Sequence, residues 1–152
     1  MKTSDPILFD TNILIYNQNI KSEFYKESAK WHDLATSGEI SAVIASQNFA
    51  EFANSMVNSK KVSKPLLPKV AALEIEKYLS LPECFTVIYP NNESLNYFNK
   101  FLAEFPKTGS PRRIFDLFLV ATMLGNNIKR ILTANAKDFA SFPQIEVVRL
   151  VV

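Results

Sequence analysis

Ile7-Leu8-Phe9-Asp10-Thr11-Asn12-Ile13-Leu14-Ile15 is the stretch on which the fold turns. Three apolar residues in a row have the length and side-chain type of a buried strand, and the acid after them lies at that strand's carboxyl end. Open α/β sheets place their ligand sites at such ends. Asp10 also suits the cap of a helix over residues 11–17, and the two roles are compatible. Thr11 and Asn12 extend the polar edge.

Further short apolar runs occur at Ala42–Ala45 and at residues 85–89, 130–132 and 145–150, each strand-sized and rich in β-branched or aromatic side chains. Helix-sized stretches separate them. Residues 22–37 carry Phe24, Ala29, Trp31 and Leu34 on a broken apolar stripe that stops at Gly38. Trp31 reads as core, whereas His32 reads as surface. Residues 47–59 place Phe49, Phe52, Ala53, Met56 and Val57 at helical spacing, and 65–81 and 93–105 are helical as well. Ser110-Pro111 reads as N-cap and first-turn proline of a helix through Leu124, ended by Gly125. Strands alternating with helices predict an α/β fold with a mainly parallel sheet and right-handed crossovers. With no repeat or linker in view, residues 1–152 read as one domain, with a helical arm or lid at about 47–81.

The composition is that of an ordinary globular chain: 152 residues, 47% hydrophobic and 21% charged. A chain of this length buries about 68–70% of its unfolded surface, so it needs no metal or disulfide staple to build a core. With 3 Gly, 8 Pro and 1 Cys, collagen-like and disulfide-rich classes are excluded. Cys84 has no partner for an internal disulfide, fits a reducing compartment, and reads as a small core residue. Asp5 and Pro6 stand where a signal peptide needs an apolar core, and no run reaches the ~18 apolar residues of a membrane span. The expectation is a cytoplasmic protein without a membrane partner. Net charge is +2, with basic clusters at Lys60, Lys61 and Lys64 and at Lys107, Arg112 and Arg113. Such clusters are ordinary on solvated loops and by themselves do not establish a polyanion partner.

The chemistry lies in the acids. Asp116 stands in a stretch apolar on almost every side, where a charge calls for a partner or a metal; Arg112 or Arg113 could be that partner. Glu51 shares helical spacing with Gln47, Asn54 and Asn58, a pattern that also fits a solvated face. Thr133, Asn135 and Asp138 come after the run at 130–132, although Asn and Asp are common turn residues. Carboxylates gathered at one sheet edge, in a chain with one His and one Cys, suit a hard oxygen-preferring cation such as Mg²⁺ or Mn²⁺. Such ions activate water and stabilise charge on a phosphodiester.

Four segments in order resemble the PIN-domain family, in particular its VapC-like toxins. They are Phe9-Asp10-Thr11-Asn12-Ile13-Leu14-Ile15, Ser46-Gln47-Asn48-Phe49-Ala50-Glu51, Arg113-Ile114-Phe115-Asp116-Leu117-Phe118-Leu119-Val120-Ala121-Thr122 and Ile131-Leu132-Thr133-Ala134-Asn135-Ala136-Lys137-Asp138-Phe139. The closing Phe142-Pro143-Gln144-Ile145-Glu146-Val147-Val148 is similar to the family's last strand. The resemblance covers about residues 7–149. It implies a three-layer α/β/α sandwich with about five strands and a metal-dependent endoribonuclease in which Asp10, Glu51 and Asp116 hold Mg²⁺ and activate water. Asn12, Thr133 and Asn135 would order ligands or water around them, with Asp138 able to approach the site although in the family pattern it reads more as a structural Asp-Phe pair, and Lys60, Lys61, Arg112 and Arg113 would contact RNA phosphates. Relatives of this kind cut structured RNA such as tRNA, work as homodimers and are silenced by a cognate antitoxin. Many carry an acid where this chain has Asn135, which removes a charge that a second cation would use.

Two enzyme or regulatory alternatives lack required residues. Haloacid-dehalogenase-like phosphatases need a second aspartate where Asn12 stands, and receiver domains need a phosphorylated aspartate where residues 90–92 are Pro-Asn-Asn. There is no glycine-rich phosphate loop. The standing alternative is a PIN-like module that has lost chemistry and binds RNA or protein, a reading that Asn135 keeps open.

Overall fold

The computed structural model describes residues 5–152; residues 1–4, which belong to the N-terminal segment read above and to the single-domain span, lie outside the described residues. Five strands form one parallel sheet: β1 (Ile7–Phe9), β2 (Ala42–Ala45), β3 (Phe85–Ile88), β4 (Arg130–Thr133) and β5 (Glu146–Arg149), in the order β3-β2-β1-β4-β5. Six helices connect them: α1 (Thr11–Tyr16), α2 (Tyr25–Thr36), α3 (Ser46–Met56), α4 (Pro68–Leu79), α5 (Asn92–Ala103) and α6 (Arg113–Gly125), with a 3-10 turn at Ala136–Asp138.

The sheet is covered on both faces, which is why its central strands read as unbroken apolar runs rather than alternating ones. Leu8, Val43, Ala45, Ile88 and Ile131 point to one face and pack with Phe101 of α5 and Leu117, Val120 and Ala121 of α6. Ile7, Phe9, Ala42, Ile44, Phe85 and Leu132 point to the other and pack with Ile13, Leu14, Ala35, Phe52, Met56 and Tyr78 from α1 to α4. The result is the three-layer α/β/α sandwich expected. Helices α3 and α4 thus contribute Phe52, Met56 and Tyr78 to the core beneath the sheet. Helix α6 lies tightly on α5: a Cβ at Gly125 would come within 2.1 Å of Ser94 Oγ, so no larger residue fits that approach.

Two local expectations are corrected. Helix α6 begins at Arg113 with Arg112 in the cap position, rather than at Pro111 after a Ser110 cap, because Arg113 N bonds Ser110 O and Ile114 N bonds Pro111 O in tight i to i+3 turns that precede the regular ladder. Asp116 therefore stands in the first turn of α6 rather than deep within it. His32 is not on the surface. It is 8% exposed, with Nδ1 2.7 Å from Ser28 O and Nε2 2.8 Å from the Tyr78 hydroxyl. Since a carbonyl only accepts, Nδ1 carries the proton and Nε2 accepts from Tyr78. Both ring nitrogens are satisfied, which permits burial, and burial holds the imidazole below its ordinary pKa. Trp31, read as core, is half-buried at the edge of the same cluster. Among the described residues no helix is long and apolar enough to cross a membrane.

Candidate metal and nucleic-acid site

Three parallel strands end on one edge of the sheet, and the segments after them converge on an open cleft of about 680 Å³ lined by Asp10, Asn12, Gln47, Glu51, Lys61, Arg112, Phe115, Asp116, Asn135 and Asp138, among others. Asp10 comes directly after β1, Glu51 stands on the second turn of α3 directly after β2, and Asn135 lies just beyond β4. Asp116 is brought in by α6 from the opposite layer. The crossovers of the parallel sheet therefore join residues more than a hundred positions apart.

Asp10 caps its helix and also lines the cleft. It is the N-cap of α1, with Oδ1 accepting from Thr11 N at 2.8 Å. Its Oδ2 accepts from the Thr133 hydroxyl at 2.7 Å and from Asn12 Nδ2 at 3.2 Å. Thr133 is itself wholly buried and its oxygen accepts from Asn135 N at 3.0 Å. Ala134 N donates to Asn12 Oδ1 at 3.3 Å, so the β4 end and the start of α1 are tied together around one carboxylate. Burial pushes Asp10 up to about 6, and the charges of Glu51 and Asp116 add to that, against the lowering effect of the Thr133 and Thr11 hydrogen bonds.

Glu51 is half-buried and lines the open cleft with Gln47 and Asn54 of the same helix face. Its Oε2 accepts from the Thr11 hydroxyl at 2.9 Å, and its Oε1 accepts from Gln47 Nε2. Asn48 Nδ2 donates in turn to Thr11 Oγ1 at 3.0 Å, while Asn48 Oδ1 accepts from Ala45 N at 3.0 Å. Gln47 Nε2 also reaches Phe115 O at 3.0 Å, bridging α3 to the first turn of α6. Turning that amide over would set its oxygen against the Glu51 carboxylate and the Phe115 carbonyl, so the donor side is fixed. Gln47 Oε1 is left buried without a hydrogen-bond partner.

Asp116 is paired with Arg113 Nε at 3.7 Å, the partner three residues earlier on the helix. Even so it is raised to about 6, by burial first and then by the charge of Asp138, with Arg113 lowering it and Glu51 raising it. Arg113 Nη2 donates to Asp138 O at 2.7 Å. Arg113 thus braces the Ala136–Asp138 turn and does not line the cleft, whereas Arg112 and Lys61 do. Lys60 is exposed in the neighbouring turn outside the cleft lining.

The sequence reading missed Gln47 and Asn48 as parts of this site. Their signal was present: Asn48 is the third residue of a helix that starts at a strand end, and Gln47 stands one turn before Glu51. Nothing in the linear pattern, however, says that Gln47 reaches α6.

No family model matches the chain, and no curated protein does. Solved structures do match it. The fold is a PIN-like α/β/α sandwich, the structure that the sequence motifs resemble. More particularly, the chain is similar to VapBC from Salmonella typhimurium, solved bound to DNA, with TM-score 0.68 and 18% identity over 97% of this chain and 100% of that one. It is similar to VapBC2 from Rickettsia felis, solved with a DNA fragment from the promoter, with TM-score 0.64 and 19% identity over 95% and 98%. It is also similar to VapC20 from Mycobacterium tuberculosis, a sarcin-ricin loop cleaving toxin, with TM-score 0.62 and 12% identity over 91% and 98%. The chain shares its fold with those structures over nearly its whole length.

Proposed function

We propose that this chain is a divalent-cation-dependent endoribonuclease and the toxin of a toxin-antitoxin pair. The observation that carries the reading is the cleft itself: Asp10, Glu51 and Asp116, from three distant parts of the sequence, line one polar cavity at the carboxyl edge of a parallel sheet, with Lys61 and Arg112 in the same lining. The likeness in fold to a sarcin-ricin loop cleaving toxin supports RNA as the substrate, and the likeness to VapBC pairs supports a protein antitoxin as partner.

The donor set fits a hard cation. It is all oxygen, and Asp10 and Asp116 each feel Glu51 as a destabilising neighbour that positive charge would relieve. Among the described residues no three His, Cys, Asp or Glu side chains converge tightly enough to cage an ion. An open site of this kind suits Mg²⁺, which binds through one or two carboxylates, keeps waters and takes further oxygens from a phosphate; Mn²⁺ accepts the same ligands. When bound, such a cation lowers the pKa of water and offsets charge on the phosphate.

The chain's own groups do the rest. Asp10, anchored by Thr133 and Asn12, and Asp116, set on the first turn of α6, present carboxylate oxygens as ligands. Glu51 is held at both oxygens by Thr11 and Gln47, and each oxygen keeps a second lone pair to accept from an attacking water. Lys61 and Arg112 attract backbone phosphates, with Lys60 and Arg113 adding to the basic field. Hydrolysis adds water across a P–O bond of the RNA backbone. A cytoplasmic homodimer held inactive by its antitoxin completes the proposal.

The test is cleavage of total small RNA by purified, antitoxin-free protein in Mg²⁺, Mn²⁺ or EDTA, beside Asp10→Ala and Asp116→Asn. Discrete fragments that require both metal and Asp10 are expected. Folded protein that cuts nothing under any of these conditions overturns the nuclease reading in favour of a non-catalytic binding module.

A further inference from the structure

Phe115 is 64% exposed, an unusual place for a phenylalanine in a cleft otherwise lined largely by polar and charged groups. Of the exposed large hydrophobic residues described, it alone lines this cleft. Its neighbours in the lining are Asp116 and Arg112 in sequence and Gln47 in space. Its carbonyl is gripped by Gln47 Nε2 at 3.0 Å, so the backbone that carries the ring is tied to the helix that carries Glu51. Position and chemistry together suggest a use for the ring. A protein-docking surface is a broad contiguous apolar patch, whereas Phe115 is the one exposed large apolar side chain in a lining that also holds Arg112, Lys61 and the carboxylates. An exposed aromatic beside a cation and carboxylates matches the way proteins hold an unpaired nucleotide, with the base on the ring and the phosphate on the cation.

We infer that Phe115 is a stacking platform for an unpaired base of the RNA next to the scissile phosphate, with Arg112 holding the adjoining phosphate. The inference rests on the ribonuclease reading and deepens it: the substrate must offer a splayed or single-stranded nucleotide at the cut, and a continuous duplex would not seat. Because every base has a π face, Phe115 confers a preference for exposed bases and not for one base identity.

The test is binding of a fluorescent short oligoadenylate, and of an abasic ribose-phosphate strand of equal length and charge, by Asp10→Asn protein in Mg²⁺, which leaves the probe intact. Stacking is worth about 1–3 kcal/mol per base, so adding Phe115→Leu is expected to weaken oligoadenylate binding roughly 5- to 150-fold. Binding of the abasic strand should not change, and Phe115→Trp should keep the affinity and show fluorescence quenched by the oligoadenylate. Thermal unfolding of Phe115→Leu should match the parent, since the ring is exposed. Equal binding of both strands by the parent protein overturns the stacking role while leaving the nuclease reading standing. Failure to bind either strand overturns both. If Phe115→Leu leaves oligoadenylate binding intact but weakens self-association in sedimentation, the ring belongs to an interface between copies and the inference is wrong.

Discussion

Thr133→Val removes one oxygen and almost no volume, and it should be felt at Asp10. The Thr133 hydroxyl donates to Asp10 Oδ2 at 2.7 Å from a wholly buried position, and it is the strongest influence holding that carboxyl down against burial. A hydrogen bond to a charged group contributes about 1.5–3 kcal/mol, and one pKa unit is about 1.4 kcal/mol. Loss of this bond should therefore raise Asp10 by roughly one to two units, from about 6 to roughly 7–8. The lower end is favoured by Asn12 Nδ2, which still donates to the same oxygen at 3.2 Å. The assay is a ¹³C carboxyl titration of metal-free protein by NMR, with Asp10→Asn identifying the resonance and Thr133→Ser as the control that keeps the hydroxyl. A second readout is stability. Valine also leaves Asn135 N without its acceptor, so urea unfolding should show a loss of about 1–3 kcal/mol at pH 8, shrinking near pH 5 where Asp10 is protonated in both proteins. A titration midpoint that is the same in Thr133→Val and the parent would mean that the hydroxyl does not stabilise the ionised carboxylate.

Asp10→Asn should gain stability relative to the parent as pH rises from about 4 to 6 and hold a constant difference above that. The folded pKa of about 6 lies above the ordinary 3.8, so the folded state holds its proton longer, and ionisation through this window costs the parent about 3 kcal/mol; parallel pH curves from urea melts would contradict this. Mg²⁺ should raise the melting temperature of the parent more at pH 7.5 than at pH 5, where Asp10 and Asp116 are largely protonated, and Asp116→Asn should lose most of that rise; an equal shift at both pH values in a thermal scan would argue against carboxylate ligation. Asn48→Leu should lower unfolding free energy by about 1–3 kcal/mol and reduce RNA cleavage, since it orphans Ala45 N and frees the Thr11 hydroxyl that positions Glu51; unchanged cleavage kinetics would show that Glu51 does not depend on this relay.

A great deal of this protein is local and therefore legible along the chain. The strand runs from Ile7 and from Ala42 are apolar without interruption because both faces of the sheet are covered, and that signal needs only adjacent residues. Asp10 could be placed at a strand end for the same reason. Where the sequence reading went astray, a distant partner made the difference. His32 looks like a surface residue until Tyr78, 46 positions away, supplies the hydroxyl that lets it be buried. Glu51 had even standing as solvated or functional because its own helix shows only polar spacing; that the Thr11 hydroxyl, 40 positions off, holds its carboxylate in the cleft is a fact of the fold. The spacing of Gln47 from Glu51 is local, but its bond to a carbonyl on a helix in the other layer of the sandwich is not written in the linear pattern.

The elements, their alternation and the identity of the acids are written in the linear chain, because hydrophobic periodicity and side-chain chemistry are properties of neighbouring residues. It took the folded arrangement to bring Asp10, Glu51 and Asp116 into one cleft, to lift Asp10 and Asp116 to about 6, and to set Arg113 bracing a turn while Arg112 faces the cavity. Those outcomes depend on burial and on charges brought together by the crossovers of a parallel sheet, and no stretch of chain contains them until it is folded.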